Sequence, residues 1–352
     1  MHNHAQQYIT RAIELAMLGH GFAEPNPMVG CVIVNDKGEI VGEGYHEKFG
    51  EVHAEVNALQ MAGDRAHGAT AYVTLEPCNH EGKTPPCALA LIDAGIRKVM
   101  IGSIDPHQLS TGGVKSLKNA GIDVEVLDDE ACNKLLAPFA KRVSTGLPWV
   151  ICKWAQTSDG STITPEGESP WISCEESINR VHAERGCIDG ILVGVNTVLL
   201  DNPSLTARGE SPRRLPYRIV LDPILRSPVN ANVFNGDAKT ILIHDSSNDA
   251  THYPCETIAV KTTNGSIDLR AVFATLSSSY DITNVIIEGG AETIRRALDA
   301  ALVDELWVFK SQATTNCSEY INMNDVIEQL DIEFVSEQPS GTDTEYRYLI
   351  NG

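Results

Sequence analysis

The sequence predicts two consecutive α/β domains, and three observations carry that prediction. The 352-residue chain exceeds the usual size of a single domain. Short runs rich in Val and Ile alternate with amphipathic stretches along both halves, the order that builds a sheet covered by helices. The segment Ser144 to Pro148, STGLP, reads as a linker, so the domains are expected at 1–145 and 146–352.

In the first half, helical spacing predicts an amphipathic helix over Tyr8 to Leu18, and MVGCVIV predicts a strand over Met28 to Val34. A helix from His53 to about Ala62, the strand ATAYVTL, a cysteine-bearing loop, a helix near Ala88 to Ala94 and the strand KVMIG follow. A further helical stretch ending GVKSLKNAGI leads to IDVEVL, which completes a three-layer α/β order. The second half offers WVICKWAQ, CIDGILVG, RIVLDP, TILIHD, TIAV, NVIIEGG and DELWVFK as strands. NVIIEGG feeds directly into AETIRRALDAAL, a strand, a double glycine and a helix. Beyond Ser311 the chain is polar, acidic and weakly patterned, so one closing strand with surface elements is expected there.

Composition narrows the function classes. Hydrophobic content of 42% with 21% charged residues is ordinary for a soluble globular protein, and no apolar run approaches the ~18 residues of a membrane span. MHNHAQQYITRAIELAMLGHG has neither a basic n-region nor a continuous apolar core, which sets aside a signal peptide or anchor. Nine cysteines, an odd number, suit a reducing cytoplasm better than a disulfide framework. A net charge of −20 without a basic stripe excludes nucleic acid and leaves a small anionic substrate to be held by a few local cations.

The stretch EPCNHEGKTPPC places Cys78 and Cys87 with eight residues between them, shortly after the HAE triplet at His53 to Glu55. A disulfide, a metal site and two core thiols are the candidates. One imidazole and two thiolates match the three protein ligands of a catalytic zinc, which keeps a fourth position for water. Glu55 lies two residues from His53, and the two side chains converge only if the metal lies beyond the helix N-terminus. There Glu55 is free to move a proton from water to a leaving amine, and H-x-E with P-C…C is the pattern of zinc nucleobase deaminases. Those enzymes carry C-x-x-C; the longer loop here brings Lys83, Thr84 and backbone amides near the metal, where a phosphate on the substrate could use them.

PNPMVGCVIV, GEGYHEKFGEVHAE and TLEPCNHEGKTPPC together resemble the bifunctional riboflavin-biosynthesis family, a diaminohydroxyphosphoribosylaminopyrimidine deaminase joined to a phosphoribosylaminouracil reductase. The resemblance implies a cytidine-deaminase-like domain in which His53, Cys78 and Cys87 bind Zn2+, Glu55 carries the proton, and Asn26, His46 and Lys83 touch the substrate. One departure stands out. The family usually shows D-P-N-P after the cysteine loop, where this chain reads Asp105, Pro106, His107 and Gln108, then LSTGG.

In the second half no G-x-G-x-x-G follows a strand, so an ordinary dinucleotide fold is not predicted. Gly289 and Gly290 before a helix would still let a phosphate approach the backbone at a helix N-terminus. Arg295 and Arg296 are either further cations for it or ordinary solvated helix residues. SDGSTITPEGESPWIS, HAERGCIDGILVGVNTVLLDNPSLTAR and RIVLD resemble the reductase domain of the same family, which implies a dihydrofolate-reductase-like fold and NADPH. By that resemblance Ser169, Arg185, Leu205, Arg208 and Glu288 hold the ribose phosphate. Ala155, Trp171, Thr197, Asp201 and the run Gly290, Ala291, Glu292, Thr293, Ile294, Arg295 and Arg296 face the cofactor. Lys153 is expected close to the substrate. TSDGS replaces the family's usual S-L-D-G-K. A homo-oligomer, dimer or tetramer, is expected. Two rival readings stay open on the residues alone: a deaminase whose second half is structural, and a binding protein with a structural zinc site completed by His80.

Overall fold

The computed structural model forms two compact units, Met1–Gly146 and Leu147–Gly352. It describes residues 2–80, 85–107, 112–163, 171–209, 212–263, 265–315 and 320–351.

The first unit contains α1 (His2–Met17), β1 (Gly30–Val34), β2 (Ile40–Tyr45), α2 (Ala54–Ala62), β3 (Thr70–Leu75), α3 (Cys87–Asp93), β4 (Lys98–Ser103), α4 (Gly113–Asn119), β5 (Asp123–Val126) and α5 (Glu130–Thr145). Its sheet has the order β2-β1-β3-β4-β5. β1 runs antiparallel to β2 and β3, while β3, β4 and β5 are parallel. Alternation along β1 sends Val32 and Val34 against Ala12 and Leu15 of α1, and Cys31 and Ile33 into the main core with Ala58 of α2 and Leu91 of α3. That two-residue period puts helices on both faces.

β2 was not expected, because glycines at Gly42 and Gly44 dilute its strand signal. The same glycines let α2 lie directly on the strand. A Cβ at Gly42 would come within 2.2 Å of the Ala58 carbonyl oxygen, and one at Gly44 within 2.4 Å of the Ala58 amide nitrogen. α5 was also missed, and it runs through Ser144 and Thr145 of the expected linker before Gly146 ends it in a left-handed turn at φ 74°.

The second unit contains β6 (Trp149–Gln156), α6 (Glu175–Arg185), β7 (Gly190–Gly194), α7 (Val195–Asp201), β8 (Tyr217–Leu221), β9 (Thr240–Asp245), β10 (Glu256–Val260), α8 (Leu269–Tyr280), β11 (Asn284–Glu288), α9 (Ala291–Asp299), β12 (Glu305–Lys310), α10 (Met323–Glu328), β13 (Ile332–Ser340) and β14 (Asp343–Ile350). The strands form one sheet, β10-β9-β8-β7-β11-β6-β12-β14-β13. All neighbours are parallel except β12 with β14 and β14 with β13. β11 is buried at every residue, and its unbroken NVIIE run is what a strand covered on both faces requires. The region after Ser311 departs from expectation: a helix and two long strands stand where one closing strand was expected. Their alternation is muted because β13 is the exposed edge of the sheet.

Candidate active sites

The first site forms where β3 ends and α2 and α3 begin. β3 passes from Leu75 straight into Glu76, Pro77 and Cys78, and Cys87 is the first residue of α3. His53 caps α2 in an extended conformation, φ −81° and ψ 165°. From the cap its imidazole and the first-turn Glu55 flank the same helix end, whereas the same spacing deeper in a helix would diverge. His53 Nδ1 lies 3.3 Å from Cys87 Sγ and 3.6 Å from Cys78 Sγ. The three donor atoms lie within 4.8 Å of one another and are the sole such group among the described residues. His80 is exposed and stands outside it.

Electrostatics suit a metal. The Cys78 sulfur accepts hydrogen bonds from the Cys87 thiol and the His53 ring, which pulls its pKa down to about 4, and the partner Cys87 is pushed up by the same bond and by burial. Two close thiols beside an imidazole make a zinc donor set, and binding displaces both the shared thiol proton and the ring hydrogen that His53 Nδ1 turns toward the sulfur. Glu55 is 3% exposed and meets the Cys87 thiol; burial pushes its carboxyl up. Asn26 and His46 are also brought together. The Val52 carbonyl can only accept, so His46 Nδ1 donates to it at 3.1 Å, and Nε2 accepts from Asn26 Nδ2 at 3.1 Å. Burial lowers the His46 pKa, and its ring stands edge-on to His53 at 5.3 Å.

Glu76, which the sequence reading passed over, ties this turn to the next segment. Its carboxylate accepts the amides of Gly112 and Val114 at 3.2 and 3.0 Å, while Gly113 packs where a Cβ would meet the Pro77 carbonyl oxygen at 1.9 Å. Asp105 is buried and accepts the His107 amide at 2.8 Å. Lys83, Thr84 and Gln108 lie outside the described residues.

The second site gathers at the carboxyl ends of β7 and β11, as open parallel sheets favour. Glu288, the last residue of β11, pairs in register with Lys153 of β6. It accepts both arms of Arg185 at 2.6 and 2.7 Å. Arg185 also donates to the Thr206 carbonyl at 3.4 Å, which brings Leu205 and Arg208 alongside. Arg208 is exposed and forms no ion pair among the described residues. Arg185 is therefore committed to a carboxylate, whereas the Arg208 guanidinium keeps its donors outside any ion pair among the described residues. His182, missed in the sequence, belongs here too. Its Nδ1 is buried without a partner among the described residues, and burial, Arg185 and Arg208 lower its pKa. Its signal was the i, i+3 spacing to Arg185.

The expected cofactor residues divide. The Gly290 amide donates to Thr197 Oγ1 at 3.4 Å, and a Cβ at Gly194 would lie 2.6 Å from Thr293 Oγ1, so the double-glycine turn, Thr197 and Thr293 form one surface. Asp201 closes α7, and burial pushes its carboxyl up. Ala155 lies on β6, beside Trp154 and Gln156. Ala291 and Glu292 open α9 beside the turn. Ile294 packs its side chain into the core, which leaves only its backbone to face a ligand. Arg295 pairs with Glu292 and Asp299, and Arg296 donates to Ser266 and to the Ile267 carbonyl, the behaviour of surface helix arginines. Trp171 is 67% exposed and lines a cavity of about 520 Å³ with Cys174, Ser311, Gln312 and Asp343. Ser169 lies outside the described residues.

These two centres define the class: a zinc deaminase followed by a reductase in one chain. Residues 2–103 match the family described as the cytidine and deoxycytidylate deaminase zinc-binding region, and residues 148–311 match the RibD C-terminal domain. The riboflavin biosynthesis protein RibD of Aquifex aeolicus (strain VF5) is 41% identical over 308 residues, 86% of each chain. That of Escherichia coli (strain K12) is 39% identical over 321 residues, again 86% of each. Among solved structures, form 1 of Acinetobacter baumannii RibD superposes with a TM-score of 0.85 at 34% identity over 99% of both chains. A Thermotoga maritima diaminohydroxyphosphoribosylaminopyrimidine deaminase/5-amino-6-(5-phosphoribosylamino)uracil reductase gives 0.87 at 33%, with the same coverage. The chain belongs to the RibD family of riboflavin biosynthesis. It is an enzyme with both activities, deaminase then reductase, and its cofactors are zinc and NADPH. No described helix is long and apolar enough to cross a membrane.

Proposed function

We propose that residues 1–145 deaminate a diaminopyrimidinone ribosylphosphate and that residues 146–352 then reduce its ribosyl group to ribityl, yielding a ribitylaminouracil phosphate. The convergence of His53, Cys78 and Cys87 around the buried Glu55 carries this reading. These three side chains would hold zinc, which when bound would supply Lewis-acid polarisation of water. Glu55 takes a proton at its carboxylate and delivers it to the departing amine. Asn26 and His46 orient the pyrimidine from the wall they share, and Lys83 reaches for the phosphate.

In the reductase NADPH supplies the hydride, and the protein supplies placement. Arg208, with Ser169 and the Leu205 backbone, holds the ribose phosphate. The Arg185–Glu288 pair and Lys153 would border the sugar, whose ring-opened C1′ would take the hydride while the heteroatom double-bonded to it takes a proton from water. Thr197, Asp201, Gly290 and the first turn of α9 hold the nucleotide, and Trp171 covers it. The chain acts in the cytoplasm, in keeping with nine cysteines, an odd number that suits a reducing compartment. It assembles as a dimer or tetramer; the edge strand β13 leaves Phe334 and Val335 exposed, a surface suited to a second copy.

The test is to incubate zinc-loaded protein with the diaminopyrimidinone ribosylphosphate, with and without NADPH, and to follow ammonia and NADPH separately. Ammonia without NADPH, and NADPH oxidation only after ammonia release, is the expected order. Ammonia from cytidine instead, or no NADPH oxidation, would overturn it.

A further inference from the structure

Arg218 on β8 is a buried cation that the two proposed chemistries do not use. Its side chain is fully buried, and no carboxylate pairs with it among the described residues. Nη1 donates to the Ser204 carbonyl at 3.3 Å, the Asn232 carbonyl at 3.4 Å and Asn235 Oδ1 at 2.8 Å, and Nη2 donates to the Ala238 carbonyl. Asn235 passes the contact on to Asp237 at 2.6 Å, while Arg218 Nε has no partner among the described residues. A buried guanidinium with no carboxylate in direct contact among the described residues is a costly way to fill a core, and here it holds backbone carbonyls from separate loops.

One of those loops is the segment that follows α7. It turns through two left-handed non-glycine residues, Asn202 at φ 41° and Leu205 at φ 49°. Such backbone persists only where its surroundings hold it. Asn232 supplies a second tie: its amide donates to Asn202 Oδ1 and its Nδ2 to the Asn202 carbonyl, both at 2.8 Å. Arg218 therefore grips Ser204 and the Asn232 carbonyl, while Asn232 grips Asn202. The segment is fixed from behind, and its front carries Leu205, Thr206 and Arg208 beside Arg185.

We propose that Arg218 and Asn232 are positioning residues of the reductase, which lock residues 202–208 in the strained turns that present Leu205 and Arg208 to the ribose phosphate without touching it. The inference rests on the reading of Leu205 and Arg208 given above. Misplacement of a phosphate-holding segment weakens substrate capture while the cofactor's hydride remains available.

The experiment uses full-length, zinc-loaded Asn232→Ala and Arg218→Lys with the deaminated uracil ribosylphosphate, NADPH oxidation as the rate, and amide hydrogen exchange across 202–209. Arg208→Ala, with and without the substrate phosphate, serves as the control. The expected result for both variants is a KM raised on the order of tenfold, kcat within about twofold, and faster exchange confined to 202–209. A folded variant with wild-type KM and exchange overturns the proposal. Where Arg218→Lys does not fold, the exposed Asn232 decides, because its replacement leaves the core intact. If Arg208→Ala loses no phosphate preference, the phosphate reading itself fails; if it does and Asn232→Ala changes nothing, only the positioning role fails.

Discussion

A thiol pair that shares one proton is a better metal ligand than either thiol alone, and this gives Cys87 a consequence beyond packing. Cys87→Ser replaces a prospective thiolate with a neutral hydroxyl. Zinc content and ammonia release should fall together, measured by metal analysis and by coupled ammonia assay; full zinc with normal deamination would remove Cys87 from the site. Arg208 offers a parallel case. Because its guanidinium forms no ion pair among the described residues, Arg208→Ala should weaken the phosphorylated reductase substrate on the order of tenfold more than its dephosphorylated analogue. Equal weakening would make Arg208 structural. Glu288 gives the pH dependence. Burial pushes its carboxyl up, but the charge and hydrogen bonds of Arg185, helped by Lys153, outweigh burial and hold it at about 2. A carboxylate depressed by folding contributes stability above its unfolded pKa, about 4.3, and loses it as pH falls towards the folded value. Between about pH 4.5 and 2, the reductase melting temperature of the wild type should therefore fall more steeply than that of Glu288→Gln. Parallel curves would show that the pair adds no pH-dependent stability. His53, Glu55, Cys78 and Cys87 were legible in the sequence because their chemistry is rare at that spacing. His182 and Glu76 were not, since a histidine near an arginine and a glutamate before a proline acquire meaning only from distant partners.

At the scale of elements, the contact between α2 and β2 places His53 and Glu55. Glycine on one face of β2 brings the helix backbone within reach of the strand, and Asn57 Nδ2 fastens it to the Tyr45 carbonyl at 2.9 Å. Gly44→Val should lift the first turn of α2 and displace His53 and Glu55, because the added Cβ would meet the Ala54 carbonyl oxygen at 2.5 Å. Zinc affinity, read by competition with a chromophoric chelator, should fall at least about tenfold, while the reductase still turns over the deaminated substrate. Unchanged zinc affinity would mean that the helix is held from elsewhere. The parallel strands WVICKWAQ and NVIIEGG were read to within two residues, because largely buried strands keep short apolar runs, VIC in the first and VII in the second. β2 escaped because the glycines that make it useful also erase its propensity. The β13–β14 hairpin escaped because an edge strand turns polar residues outward.

For the whole molecule, the proposed function divides two chemistries between two separately cored units: proton transfer at Glu55 in the first and hydride transfer near Glu288 in the second. The family resemblance extended the sequence reading furthest here, since neither half carries a dinucleotide fingerprint and a double glycine alone would suit any strand-to-helix turn. The measurement that bears most directly on this division is Glu55→Gln, which keeps the size of the side chain and all three metal donors. The account predicts that the variant retains zinc and loses ammonia release by a factor on the order of 10² or more, and that it oxidises NADPH normally when given the deaminated uracil substrate. Near-normal ammonia release, or loss of NADPH oxidation with zinc and folding intact, would contradict it.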